Sequence, residues 1–283
     1  MTKVKELFGL NTSATGIDWN KEVARQHCLF LNKKCIKTRK SQPDIAIGTC
    51  TMNYGKDSSD IIICPHRLLE RRQIFTDCLH LLTMHEPGNE LHIVSEIQIP
   101  GGNVDYFLVS VNKGKVKDFV GIELQTMDTT GTVWPERERF LEKSGCENVD
   151  KVAVTSNSKF GMNWKMTAKT ILVQLHHKIQ TFEHLNKHLV LVVQEPLLNY
   201  MKKEFSFAHV EEAKLGNPLH FHSYDLEKRK DDQLALNLKT RLSTDTEGMA
   251  ICLGLQAEAR VELLEIIAKL EAKISDDTLL KLR

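Results

Sequence analysis

Two acidic residues, Asp105 and Glu123, have the type and spacing to bind a divalent cation. Asp105 lies in the run VDYFLVSV and Glu123 in the run KDFVGIELQ, with the turn sequence NKGK between the two runs. A tight hairpin brings the two carboxylates to about 5 Å from each other on adjacent strands, where like charges repel. A cation such as Mg²⁺ removes that repulsion and gains oxygen ligands that suit it. The pair therefore predicts a metal site, although the exposed face of an antiparallel sheet accounts for the same composition.

The segment from Val104 to Gly131 is predicted to form the hairpin that positions these acids. Residues of β-branched and aromatic type dominate both runs, and Gly114 supplies the turn. Because side chains alternate along a strand, Glu123 and Gln125 share one face, and the apolar residues beside them point to the other. The polar pair is thus held on a sheet with a hydrophobic back.

A second set of residues that could bind a metal consists of four cysteines in the first quarter of the chain: Cys28, Cys35, Cys50 and Cys64. Four thiolates can form a closed tetrahedral site for zinc or iron, which stabilises a segment too poor in apolar residues to fold alone. The spacing contains no CxxC pair, so scattered buried thiols account for it equally well.

Composition limits the class of protein. The chain has 283 residues, of which 41% are hydrophobic and 27% charged, as expected of one large globular domain or of a core with smaller attachments. Its seven cysteines, without a secretion signal, favour thiols or metal ligands over a disulfide framework. No apolar run reaches the ~18 residues of a membrane helix, so we expect a cytoplasmic protein without a membrane partner. The net charge is only +1, so attraction to DNA must come from local patches.

The elements around the hairpin follow the order helix, three strands, helix and strand. Upstream, Asp18 caps a short predicted helix, a second helix begins at Pro65, and a strand covers residues 90–99. Downstream we predict a helix beginning at Pro135, a strand over 149–155, a helix over about 163–180, a strand over 189–194, a helix over 197–205, strands over 220–226 and 234–242, and an amphipathic helix over 257–274.

With these elements in place, VDYFLV followed by GIELQTMDTTG resembles the signature of the PD-(D/E)XK nucleases, and more closely that of the NotI-type restriction endonucleases. The signature is an Asp, a gap, and Glu-x-Lys on the next strand. Here Val104 replaces the signature's Pro and Gln125 replaces its Lys, and the NotI-type subgroup also carries Gln at that position. An amide can orient a water or a phosphate but cannot take a proton, so Gln125 cannot act as a base.

The cysteine segment carries an independent resemblance to the same family. CLFLNKKCIKTRKSQPDIAIGTC, followed by IIICPHRLLERRQIF, is similar to the amino-terminal cysteine module of the NotI-type enzymes, in which four cysteines hold an iron ion. The resemblance implies that the metal ligands are Cys28, Cys35, Cys50 and Cys64.

These resemblances imply an α/β (α+β) fold class. We expect a PD-(D/E)XK restriction-endonuclease-like core, with a mixed central sheet flanked by helices, and an N-terminal four-cysteine metal-binding module. The expected boundaries are 1–64 for the module, 65–210 for the nuclease core and 211–283 for a C-terminal extension that can take part in dimerisation. Glu96 lies on the strand from whose neighbourhood related nucleases bring a further acid to the metal; an exposed strand residue is the equal alternative.

The implied function is that of a type II restriction endonuclease making Mg²⁺-dependent double-strand cuts at a specific sequence of double-stranded DNA. Asp105 and Glu123 would bind Mg²⁺, Glu96 would add a further acid, Gln125 would place the attacking water, and Fe or Zn would occupy the four-cysteine site. Cutting both strands of a symmetric sequence favours a homodimer, with the apolar face of residues 257–274 as one candidate contact. The resemblance also implies a location in the prokaryotic cytoplasm.

Two other functions remain compatible with the sequence. One is a non-catalytic nucleic-acid-binding module built on the four-cysteine site, in which the missing lysine marks an inactive centre. The other is a DNA repair or junction-resolving nuclease on the same core.

Overall fold

A computed structural model describes residues 2–229 and 233–255, together with Ile267, Ala268 and Ala272. The predicted amphipathic helix over 257–274 lies, apart from those three residues, outside the described part of the chain. Among the described residues, no helix is both long enough and apolar enough to cross a membrane.

Residues 2–64 fold into short strands and one helix. The strands are Val4–Leu7 (β1), Leu10–Asn11 (β2), His27–Cys28 (β3), Lys33–Lys34 (β4), Thr38–Arg39 (β5), Gln42–Ala46 (β6), Thr49–Tyr54 (β7) and Ser59–Ile62 (β8). One sheet has the order β2-β1-β7-β8, and β3-β4 and β5-β6 form separate antiparallel pairs. The helix Trp19–Arg25 (α1) confirms the predicted cap, since the Asp18 carboxylate accepts the Lys21 N–H at 3.2 Å.

The central sheet contains the predicted hairpin. The remaining strands are Glu90–Ile99 (β9), Gly102–Asn112 (β10), Lys115–Gln125 (β11), Thr129–Thr130 (β12), Gly161–Met162 (β13), His188–Gln194 (β14), Glu211–Glu212 (β15), Leu219–Lys228 (β16) and Leu234–Thr244 (β17). Seven of them form one sheet in the order β15-β17-β16-β14-β11-β10-β9. The β11-β14 and β14-β16 pairs are parallel and the other pairs antiparallel, which confirms the mixed sheet.

Helices flank this sheet, as predicted. They are Gln73–Thr76 (α2), Trp134–Lys143 (α3), Lys151–Thr155 (α4), Trp164–His184 (α5), Glu195–Glu204 (α6) and Thr246–Cys252 (α7), with 3-10 turns at Pro65–Arg72 and Leu79–Leu81. The helices predicted at Pro135, over 163–180 and over 197–205 correspond to α3, α5 and α6. The two large hydrophobic clusters lie on opposite faces of the sheet, and the one that includes α5 runs from Val4 to Cys252.

The strand predicted over 149–155 is wrong, because residues 151–155 form α4 and Asp150 caps it. The Asp150 carboxylate caps the helix by accepting the Ala153 N–H at 3.1 Å, and the Asp150 N–H donates to Glu138 on α3 at 2.8 Å. These contacts hold the chain at the start of a helical turn. A short apolar run has no period that separates a strand from a helix, so the cap and the neighbouring helix decide its conformation.

The helix predicted from Pro65 is also wrong as a single element, because the chain kinks at Glu70 and Arg71. Buried Arg67 donates to Glu6 at 2.7 Å and to Glu70 at 2.8 Å, and Glu70 accepts the Leu236 N–H from β17 at 2.7 Å. A buried guanidinium requires such partners. The kink brings Glu70 to this network while the apolar side chains still face the core.

Candidate active site

Three carboxylates lie side by side on three adjacent strands of the central sheet. The antiparallel registers of β10 with β11 and with β9 place Glu123 and Glu96 on either side of Asp105. The structure therefore brings together the three acids that the sequence analysis selected. Glu96 is exposed and has a φ of 56°, a left-handed conformation that is rare for a non-glycine residue within a strand.

The Asp105 carboxylate is held in a fixed orientation. It is half-buried, and its Oδ2 accepts the Leu124 N–H at 2.8 Å. Burial raises the pKa of Asp105 above its usual value and the Glu96 charge adds to that effect, whereas the Leu124 N–H and the ammonium of Lys178 oppose it. A raised pKa is what we expect of a carboxyl group that lies beside other acids in a partly desolvated site.

Glu123 is buried and paired with a lysine from α5. The Lys178 Nζ lies 2.6 Å from Glu123 Oε1, and both side chains are almost fully buried. Burial and the Asp105 charge raise the pKa of Glu123 to about 7, against the hydrogen bond from Lys178. One ammonium does not balance two or three carboxylates, so the donor oxygens and the excess negative charge fit a divalent cation such as Mg²⁺.

The four cysteines of the amino-terminal region are free, buried thiols that lie near one another. Burial and repulsion by the Cys64 thiolate both raise the pKa of Cys28 and of Cys35. The Cys50 thiol donates to the Gly48 carbonyl at 3.4 Å. Its contact with Cys64 lowers the pKa of Cys64 to about 6 and raises that of Cys50. The sequence positions selected for a metal site are thus neighbours in space.

Backbone N–H groups are directed at three of these four sulfurs. The donors are Phe30 and Leu31 for Cys28, Lys37 and Gly48 for Cys35, and His66 and Arg67 for Cys64. Each such bond stabilises a thiolate over a thiol, and thiolates are the form that binds a metal. The donor chemistry therefore fits zinc or iron, both of which accept four sulfur ligands.

Comparison with known families adds an independent observation. The sequence model of the family described as restriction endonuclease NotI matches residues 28–231. The match covers most of the chain and includes all four cysteines, the three acids and Gln125. The chain belongs to the NotI restriction endonuclease family. No curated protein matches it.

Membership of the NotI family makes this protein a site-specific DNA endonuclease, and hence a DNA-binding protein of a restriction system. The match begins at Cys28, the first of the four cysteines.

Gln125 lies on the same side of the sheet as Glu123, as predicted for this NotI-family chain, but its amide is tied to the backbone. The Gln125 Nε2 donates to the Thr126 carbonyl at 2.7 Å. The side chain also lines a small void beside Trp164 at the start of α5. The residue at the signature's lysine position therefore contributes neither a charge nor this N–H to the carboxylates.

Lys178 is the functional candidate that the sequence analysis missed. It belongs to a buried stripe on α5 that also contains Ile171, Leu175 and Phe182. A lysine at an apolar position of an amphipathic helix is rarely buried without a partner. That interruption of the stripe is the signal that would have selected it.

Neither the carboxylates nor the four cysteines are arranged as a ready-made metal site. Within residues that the structure describes, no three His, Cys, Asp or Glu side chains are spaced to hold a metal ion as they stand. For either set to hold a cation, its side chains would have to move closer together.

Proposed function

We propose that this NotI-family chain is a type II restriction endonuclease that makes Mg²⁺-dependent double-strand cuts at a specific DNA sequence by phosphodiester hydrolysis. The observation that carries the proposal is the row of Glu96, Asp105 and Glu123 across β9, β10 and β11. We infer that these strands with α5 and β14 form a PD-(D/E)XK core, because the three strands are followed along the chain by α5 and then by β14, which matches the order of three strands, helix and strand in that core. In this proposal the protein acts on DNA in the prokaryotic cytoplasm.

The residues of the row have separate roles in this proposal. Asp105 and Glu123 would hold Mg²⁺, with Glu96 as a third oxygen donor from the edge strand. When bound, Mg²⁺ polarises the scissile phosphate and lowers the pKa of a water molecule. The Leu124 N–H orients the Asp105 carboxylate. Gln125 donates to Thr126, which leaves its amide oxygen to accept a hydrogen bond from a water.

The four cysteines have a structural role in the proposal. Cys28, Cys35, Cys50 and Cys64 would hold one Fe or Zn, supported by their burial and by the backbone N–H groups directed at them. The amino-terminal segment consists mainly of short strands and turns. Such a segment has little helix or sheet to stabilise it, so the metal would supply much of its folding free energy.

A test on DNA of mixed sequence separates this function from its alternatives. Purified protein is incubated with a large mixed-sequence DNA, with and without Mg²⁺, and the ends produced are sequenced. We expect cuts at one discrete sequence, on both strands and only with the cation. Scattered or structure-dependent cuts would indicate a repair or junction nuclease, and intact DNA that is bound but never cut would indicate a non-catalytic module.

We also propose a homodimer, because one active centre cuts one strand and a two-fold axis places a second centre on the other. The edge strand β9 offers a contact surface besides residues 257–274, since no strand among the described residues pairs with its outer side and it exposes Leu91, Ile93 and Ile97. Light scattering should show a dimer when the protein is bound to its DNA. A monomer that cuts both strands in one encounter would contradict this arrangement.

A further inference from the structure

We propose that Lys178 on α5 supplies this active site with the ammonium group that the nuclease signature places two residues after the second acid, where Gln125 stands here. Lys178 is thus a positioning residue: it orients Glu123 and sets the charge of the carboxylate row. The inference rests on the proposed function, since it assigns a role within the same centre.

The first support is the position of the Lys178 ammonium between the two central strands of the site. It lies 2.6 Å from Glu123 Oε1 on β11, and it also donates to the carbonyl of Asn103 on β10. Asn103 precedes Asp105 by two residues on the same strand. The ammonium therefore joins the strand of one acid to the side chain of the other.

The second support is the close packing of α5 against the turn between β9 and β10. The Thr181 hydroxyl donates to the Pro100 carbonyl at 3.0 Å. Gly101 has a φ of +97°, and a Cβ there would overlap the His177 carbonyl oxygen. Only glycine permits this approach together with this backbone conformation. The turn thereby holds the C-terminal part of α5 at the distance from which Lys178 reaches Glu123.

The third support is the imbalance of charge. One well-placed carboxylate, with hydrogen bonds to the remaining polar atoms, is enough to pair a buried ammonium. Lys178 instead faces a row that contains Asp105 and Glu123, with Glu96 beside them. The row stays negative with Lys178 present. It can therefore still bind a divalent cation beside the fixed positive charge of the Lys178 ammonium.

The test compares Mg²⁺ binding with the rate of cleavage. In Lys178→Met the cleavage rate kcat should fall by about a hundredfold or more, the usual loss when a fixed polar group is removed from a reacting centre. Mg²⁺ should bind more tightly to the same variant, because the row has lost a positive charge. Calorimetric titration with Mg²⁺ alone measures the second effect. A merely structural defect weakens Mg²⁺ binding and cleavage together.

A rescue variant tests the assignment directly. Gln125→Lys in the Lys178→Met background returns an ammonium to the signature position, and we expect it to recover at least a tenth of the wild-type kcat. Lys178→Gln, which keeps a hydrogen-bond donor without the charge, serves as the second variant where Lys178→Met does not fold. Lys169→Met, on an exposed position of the same helix, is the matched control and should retain the wild-type kcat.

The outcomes separate the inference from the proposed function. Wild-type protein that binds Mg²⁺ but cuts no DNA would overturn the function, while the comparison of Mg²⁺ affinities would still decide the role of Lys178. Wild-type kcat and unchanged Mg²⁺ affinity in Lys178→Met or Lys178→Gln would overturn the inference alone. So would loss of cleavage accompanied by weaker Mg²⁺ binding, which indicates a structural lysine.

Discussion

Asp105→Asn and Glu123→Gln should each reduce Mg²⁺-dependent DNA cleavage by about a thousandfold or more, while DNA binding persists or tightens. Each replacement keeps the size of the side chain and removes a ligand of the cation. The cation supplies several kcal/mol of transition-state stabilisation, and the rate falls roughly tenfold for each 1.4 kcal/mol that is lost. In the Asp105→Asn variant the amide oxygen can still accept the Leu124 N–H that the carboxylate accepts in the wild type. Binding tightens because a carboxylate without its cation repels the phosphate.

Single-turnover cleavage and a gel-shift assay without Mg²⁺ measure the two effects. Glu90→Gln is the matched control, since Glu90 is an exposed acid at the start of β9, the strand that carries Glu96. Glu96→Gln in the same series decides whether the third acid is a ligand or an exposed strand residue. Wild-type cleavage by either Asp105→Asn or Glu123→Gln would remove the metal-binding role of that residue.

The purified protein should contain one tightly held Fe or Zn per chain, and Cys35→Ser or Cys50→Ser should prevent the amino-terminal segment from folding. Structural metal sites of this kind contribute about 10–16 kcal/mol of apparent binding free energy, as much as the whole stability of an ordinary domain, about 5–15 kcal/mol. The loss of one ligand should therefore appear as a large fall in melting temperature and in metal content. Elemental analysis and circular dichroism measure both.

Cys146→Ser is the control for the cysteine variants, since Cys146 is only partly buried and lies outside the four-cysteine cluster. It should keep the metal and the wild-type melting temperature. Visible absorption then separates the two metals, because Zn²⁺ has a filled d shell and iron does not. A wild-type protein that is fully folded and free of metal would remove the four-cysteine site.

The hairpin and the row of acids are the features that local sequence predicts. Alternation along VDYFLVSV and KDFVGIELQ, with Gly114 in the turn, predicted strands that the structure confirms as β10 and β11. The face of each side chain follows from its parity in the strand, so Asp105 and Glu123 could be paired before any tertiary contact was known. Glu96 joins them because a short glycine turn leaves little freedom in the register of β9.

The same local reasoning failed where a distant partner decides the backbone. The segment 149–155 is apolar enough for a strand, and contacts from α3 to Asp150 make it a helix. The chain after Pro65 has a helical apolar stripe, and the buried network of Arg67 with Glu6 and Glu70 makes it kink. In both cases the free energy of satisfying a buried polar group, Glu138 in the first and Arg67 in the second, outweighs the propensity of the segment.

By itself, the sequence determined the chemistry that this protein can perform: acids on paired strands, four thiols within one segment, and an amide in place of the signature's lysine. Only the tertiary structure decided how that site is completed. Glu123 and Lys178 are 55 positions apart, and they meet because α5 packs on the glycine turn that precedes β10. Strand parity and turn type depend on neighbouring residues, whereas the partner of a buried charge depends on the whole packed fold.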